Sequence, residues 1–531
     1  MATAARCPVS PRPSWGRKTR CRDKGSIVGD LNQPDRIHHL LQRQAMENPD
    51  AVLLHQEGGG TVTYAGMWER VQRARDWLAA QGARPGDRVL VVGENCPQMV
   101  QALFACSLLG AWTVGLNARL SPREVEAIRQ HSQPALALYF SRTSEKAGEH
   151  ARQYAARSAD ESVWGEGNLW SPAVERPEPE TGSEAGEVAT LIYTSGTTGA
   201  PKAVMVPHRG LLHFARVSSA SRRLTATDVS YAALPLSHIF GIATVLMATV
   251  QVGASLVVRR RFDPEDLLQA LETPGLSILQ GVPTMYSRLL AAHPVPPGPS
   301  RLRYVYAGGS ALDPTLKRQV EHYFGVPMHH GYGITEYAGS LYVTSMDAPR
   351  TDCSAGFPLE GVELRLGAPG DPAVAPGESG PIFVRGPGVM LGYYRDPERT
   401  RDALLPGGWL CTGDLGRLDA DGALFITGRT KDMIIRSGFN VYPLEVEAVI
   451  NTFPGVKLSA VVGRSEDDGN EEVIAFFEPL KADSVDVEAL RLYLREQLAP
   501  YKVPARIVPM DAIPTTVSGK IKKQPLRELV A

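Results

Sequence analysis

Cysteine is scarce in this chain of 531 residues: Cys7, Cys21, Cys96, Cys106, Cys353 and Cys411 are the six, and none forms a Cys-x-x-Cys pair or sits beside histidines at metal-ligand spacing. That scarcity excludes a disulfide framework and a zinc module, and the six are read as reduced thiols. Net charge is also lacking. A formal charge of -1 gives no bulk attraction for nucleic acid or an anionic membrane. One uncharged stretch that could pass for a membrane span, Gly241 to Val258, is broken by Gln251 and Gly253 and falls short of the roughly 20 apolar residues a span needs. It reads as a buried helix, a turn and a β-branched strand, Ser255 to Val258. Residues 1–34 are basic and rich in Pro and Ser but have no apolar core of signal-peptide length. A disordered tail and a soluble, cytoplasmic protein are the expectation.

What remains is ordinary globular material, 43% hydrophobic and 21% charged, too long for one core. Short β-rich runs (Arg88 to Val92, Ala135 to Phe140, Val188 to Tyr193, Tyr304 to Ala307) alternate with helical patterns, which predicts an α/β fold with layered, mostly parallel sheets. Trp164 to Glu187, rich in Pro, Gly and Glu, reads as a surface linker. From about Ser354, strands between Gly and Pro turns (GVELRLG, GPIFVRG, GALFITG) suggest a β-barrel-like subdomain. Beyond Arg429 the pattern becomes a small α+β unit, with a helix begun by Pro443 and Leu490, Leu494 and Leu498 on one face of another. The expected division is therefore a large domain over 35–428 and a small one over 429–531.

One loop stands out. In LIYTSGTTGAPK, Leu191 to Lys202, an apolar strand runs into Ser, Thr and Gly and closes on a lysine. Backbone N–H groups of such a loop can surround phosphate oxygens, and the hydroxyls add donors. The Walker pattern is absent, because Lys202 follows Pro201 and no Gly-Lys-Ser/Thr occurs. Taken alone, the loop is either an anion cradle or a flexible Ser/Gly linker.

TSGTTGAPK resembles the signature of the adenylate-forming superfamily, which includes acyl-CoA synthetases, adenylation domains of peptide synthetases and firefly-type luciferases. ALPLSHIFG, AGGSAL, GYGITE, GWLCTGDLG, GRTKDMIIRSGFNVYPLEVE and PTTVSGKIKK follow in the family's order, and the resemblance covers about residues 35 to 531. It implies ATP-dependent activation of a carboxylate. A carboxylate is a poor electrophile; as an acyl-AMP anhydride it acquires a leaving group that a thiol can displace. Positioning and charge neutralisation suffice, without a covalent nucleophile.

The resemblance implies roles at matching positions. Thr194, Ser195, Gly196, Thr197, Thr198, Gly199 and Lys202 would hold the β- and γ-phosphates. Gly309, Ser310 and Ala311 would line the adenine and acyl side, and Tyr332 would stack on the base. Thr335 would contact the α-phosphate, and Glu336 would ligate Mg²⁺, which prefers oxygen ligands. Asp414 would accept from the ribose hydroxyls, with Arg429 beside it. Lys520 would bridge the incoming carboxylate and the α-phosphate. Lys431 matches the hinge about which the small domain turns between half-reactions, bringing Arg436, Ser437 and Gly438 in for the second; Gly438 would let the pantetheine arm of coenzyme A pass.

His238 matches a residue that gates the acyl pocket or the thiol path in acyl-CoA ligases. Phe240 and Thr244 near it are neutral, which disfavours a free α-amino acid. Arg288 resembles a carboxylate-reading position of malonate-activating relatives, with a solvated surface arginine as the plainer reading. The expectation is an acid:CoA ligase using ATP, Mg²⁺ and CoA on a medium-chain fatty, aromatic or related acid. Two alternatives remain open: loading of a separate carrier protein, and a non-catalytic nucleotide-binding module.

Overall fold

The computed structural model of the protein describes residues 34–173, 177–182, 184–194, 202–372, 374–375, 377–436, 439–465, 470–481, 484–516 and 520–530. Continuous apolar runs become strands buried on both faces. Arg88–Gly93, Trp112–Asn117, Leu136–Tyr139 and Val188–Thr194 pair in parallel within a seven-stranded sheet. Its edge strand Lys202–Pro207 turns back antiparallel on Val188–Thr194, with Thr194 opposite Lys202. A nine-stranded sheet has Val229–Ala232, Ser255–Val258, Ile278–Gly281, Tyr304–Ala307 and Met328–Ile334 in its parallel centre.

The uncharged stretch after Gly241 is neither a span nor a plain α-helix. Phe240–Met247 is a π-helix that continues as the α-helix Ala248–Val252, ends on left-handed Gly253 and leads into Ser255–Val258. Among the described residues no helix is long and apolar enough to cross a membrane. The third sheet is antiparallel, built on Glu363–Leu366, Ser379–Arg385, Trp409–Leu418 and Leu424–Arg429. The C-terminal unit has its own core, in which Val446, Ile450, Val461, Phe477, Leu490 and Leu494 pack. Leu498 ends its helix and packs at that core's margin.

The linker reading of Trp164 to Glu187 needs correction. Trp164 is fully buried, and both it and Trp170 pack edge-on against Trp77, at 5.7 and 5.2 Å between ring centroids. Two aromatic rings anchor a segment whose polar composition hid them.

Three buried histidines tie stability to pH. His38 faces Ser107 Oγ at 2.8 Å, His329 faces Thr344 Oγ1 at 3.1 Å, and His330 Nδ1 lies 2.9 Å from the Ala307 carbonyl. Burial pulls the pKa of His38 down to about 3 and those of His329 and His330 to about 4. Unfolded, each takes a proton below about 6.5; folded, each stays neutral until far lower. The unfolded state thus binds more protons across that window, and stability falls as pH drops from 6.5 towards 4. By pH 5 the loss is roughly 2 kcal/mol per histidine. The urea midpoint should therefore fall steeply between pH 7 and pH 5, and His38→Gln should flatten the slope by about one proton.

Candidate functional site

The carboxyl ends of the parallel strands and the edge of the antiparallel sheet converge on one cleft, as expected of open α/β sheets. Strand Met328–Ile334 delivers Tyr332 and runs into the short 3₁₀ turn Thr335–Tyr337, which carries Glu336. The Glu336 carboxylate accepts from Lys202 Nζ at 2.7 Å and from the Tyr393 hydroxyl at 3.0 Å. The same ammonium lies 4.4 Å from the centre of the Tyr393 ring. Burial raises the pKa of Glu336, but the Lys202 charge and these hydrogen bonds outweigh it and leave the carboxyl below its ordinary value.

A second acid is placed by strand register. Trp409–Leu418 and Leu424–Arg429 pair so that Asp414 stands opposite Arg429. Asp414 accepts from Arg429 Nε at 3.1 Å and from the Tyr332 hydroxyl at 2.6 Å. It is 6% exposed, and burial raises its pKa against the pull of Arg429.

Lys520 comes from the far end of the chain into this cleft. Its Cε lies 3.8 Å from where a Cβ would stand on Gly309, which is left-handed at φ +83°. Burial and the Arg429 charge lower its pKa, while Asp414 and Glu336 raise it. Two hydrogen bonds pin the segment: Lys520 N donates to the Thr516 side-chain Oγ1 at 3.0 Å, and Thr516 N to the Lys520 carbonyl at 2.7 Å. His238 is part-buried at the start of the π-helix, accepts from Phe240 N at 3.3 Å, and has its pKa lowered to about 3 by burial and then by Lys520.

Glu336, Asp414, Tyr332, Arg429, Lys202, Lys520, Gly309 and His238 are thus brought together. Thr335 is buried beneath them, Thr194 is part-buried at the end of its strand, and Ser310 and Ala311 are exposed at the cleft. Ser195, Gly196, Thr197, Thr198, Gly199, Ser437 and Gly438 lie outside the described residues. Arg288 does not join the site: it is exposed, 5.4 Å from the Phe262 ring, as the solvated reading expects. Tyr393 was not singled out from the sequence. A tyrosine in LGYYRDP gives no local signal beyond core packing.

Three cations, Lys202, Arg429 and Lys520, face two carboxylates, so the cleft favours an anion such as a nucleotide phosphate. Among the described residues no group of three or more His, Cys, Asp or Glu could hold a metal. Glu336 stands as a lone carboxylate. That donor set fits a magnesium ion that keeps waters and arrives with phosphate oxygens, not one caged by protein.

The family model described as "AMP-binding enzyme" matches residues 41–394, and that for the "AMP-binding enzyme C-terminal domain" matches residues 445–520. The chain belongs to the AMP-binding enzyme family. A feruloyl-CoA synthase of an Amycolatopsis species is 35% identical to this AMP-binding enzyme, over 91% of this chain and 97% of its own length. A 2-succinylbenzoate–CoA ligase of Geobacillus kaustophilus (strain HTA426) is 34% identical over 92% and 97%. Among solved structures, the O-succinylbenzoate coenzyme A synthetase MenE of Bacillus subtilis, in complex with ATP and magnesium ion, matches with a TM-score of 0.78 at 32% identity, covering 92% of this chain and 98% of that one. The layered α/β architecture read from the sequence is the one these AMP-binding enzymes share.

Proposed function

We propose that this AMP-binding enzyme is an acid:CoA ligase that uses ATP and magnesium. In the first half-reaction a carboxylate oxygen attacks the α-phosphorus and pyrophosphate leaves. In the second the CoA thiol attacks the acyl carbon, and AMP leaves. The observation that carries the reading is Lys520, a part-buried ammonium in the same cleft as Arg429, Asp414 and Glu336. A cation there can hold two anions together while a new P–O bond forms.

The other residues take complementary roles. Thr194, the Ser195 to Gly199 loop and Lys202 hold the β- and γ-phosphates. Glu336 ligates magnesium, which supplies charge neutralisation of the phosphates when bound. Releasing Glu336 to a metal frees Lys202 for phosphate, so one ion pair converts into two contacts. Thr335 contacts the α-phosphate, Tyr332 stacks on adenine, and Asp414 with Arg429 holds the ribose. Gly309, Ser310 and Ala311 border adenine and acyl group. His238, neutral across the physiological range, gates the acyl side. The division falls near Lys431, with a large unit over 35–428 and a small one over 429–531. The hairpin strands Ile434–Arg436 and Phe439–Val441 expose Ile435 and Phe439 on either side of Ser437 and Gly438, where the pantetheine arm passes.

Both relatives are named for acids with an aromatic ring, which favours an aromatic carboxylic acid over a medium-chain one. A pyrophosphate-exchange assay over a panel of both acid classes, followed by CoA addition and product mass, tests the reading. Exchange with an aromatic acid and the mass of its thioester are expected. Exchange without a CoA product favours a carrier-protein acceptor, and no exchange with any acid leaves a nucleotide-binding module.

A further inference from the structure

Behind the cleft lies a small cavity of about 10 Å³, bordered by Arg222, Ser218, Thr244, Tyr304, Tyr306 and Ser340 and closed by the apolar Val343 and Leu359. It is about large enough for one water. Its chemistry is one-sided. Arg222 is 3% exposed, and its guanidinium donates to the Ser218 carbonyl at 2.9 Å, the Thr244 carbonyl at 3.0 Å, Gln280 Oε1 and Ser218 Oγ. All four acceptors are neutral. Among the described residues no carboxylate forms an ion pair with it, although buried charges are ordinarily paired. It ends the helix His208–Ser221, whose C-terminal dipole offsets part of the charge. Two more donors nearby are unused: Gln280 Nε2 and the Tyr304 hydroxyl are buried without a partner among the described residues, on side chains 1% exposed. A cation and unsatisfied donors with no anion describe a site complementary to an acceptor-only group.

Tyr306 separates this cavity from the cleft. Its ring packs edge-on against Phe240 at 5.8 Å, and Phe240 in turn borders Gly309, where Lys520 arrives. A Cβ on Gly308 would lie 2.8 Å from the Tyr306 ring, and one on Gly331 would lie 2.6 Å from its hydroxyl. Glycine at both positions makes the slot the ring occupies. Among the described residues the hydroxyl has only a long contact, 3.4 Å, to Ser340 Oγ. Displacing the ring therefore costs little hydrogen bonding and joins cavity to cleft.

Resting on the reading that the cleft adenylates a carboxylic acid, we infer that the acyl side ends at Arg222 and that the enzyme selects acids bearing a second carboxylate at their far end. Arg222 is the specificity-determining residue, Tyr304 and Gln280 supply further hydrogen bonds, and Tyr306 is the partition that yields. The two carboxylates are treated differently: one meets ATP beside Lys520, while the other is held by fixed donors and stays unreacted.

The test compares acids that differ only at the far end, cinnamate with 4-carboxycinnamate and heptanoate with pimelate, in pyrophosphate exchange with the full-length enzyme. Preference for the diacid in at least one pair, by tenfold or more in kcat/KM, is expected. Arg222→Met should reduce that preference at least tenfold, mainly through KM, because the contact is the same in ground and transition states. Tyr304→Phe removes one hydroxyl from an otherwise unchanged core and should lower the preference severalfold, which keeps the test open should Arg222→Met fail to fold. Monoacids favoured in both pairs, or a preference that neither variant alters, would overturn the inference while leaving the ligase reading intact. No exchange with any acid would overturn both.

Discussion

Lys520→Ala should lower pyrophosphate exchange by about 10² to 10³, the loss that follows removal of one preorganised electrostatic contact. Supplied with preformed acyl-adenylate, the same variant should transfer the acyl group to CoA at close to the unmodified rate, since the P–O bond Lys520 serves is already made. Unfolding cannot mimic this split. The ammonium is desolvated and lies in the field of Arg429, and both influences already disfavour its charged form. Removing it relieves like-charge repulsion, so the melting temperature should hold or rise, a common relation between stability and function at active sites. A variant with a lower melting temperature and equal losses in both half-reactions would sink the assignment.

The second large effect concerns Lys431. It sits in the short turn Thr430–Asp432, between strand Leu424–Arg429, which carries Arg429 into the cleft, and strand Ile434–Arg436. With Lys520 at Gly309, the hairpin that exposes Ile435 and Phe439 has these apolar side chains in solvent. On the proposed reading, bringing that hairpin to the acyl-adenylate would require backbone rotation at the turn. Lys431→Pro fixes φ there. Exchange should stay within about threefold of the unmodified enzyme, while thioester formation slows by an order of magnitude or more, as for a blocked conformational step. Equal slowing of the two steps, measured by rapid quench, would count against a hinge at this residue.

Much of the fold was legible because its strands are apolar on both faces: Ser255–Val258 and Tyr304–Ala307 end where the β-branched and aromatic runs end. Segments that mix polar composition with a few anchors were harder. Trp164 and Trp170 are buried by Trp77, some ninety residues earlier, and no local pattern encodes that contact. The same limit governs the site. Glu336, Asp414 and Lys520 could be named because each stands in a recognisable block. Their grouping depends on sheet register, which sets Asp414 opposite Arg429, and on the chain returning to Gly309 after two hundred residues. Tyr393 and Arg222 belong to no block, and only packing shows the first against Lys202 and the second buried without an acid.

The pairing of Thr194 with Lys202 has a consequence for engineering. These residues face each other across one rung of an antiparallel ladder, with the seven residues Ser195 to Pro201 between them. Strand pairing sets the backbone position from which the Lys202 ammonium reaches Glu336 at 2.7 Å. If the segment holds phosphate as proposed, one transplanted from a relative could be spliced between these two anchor points without retuning the charge beside it.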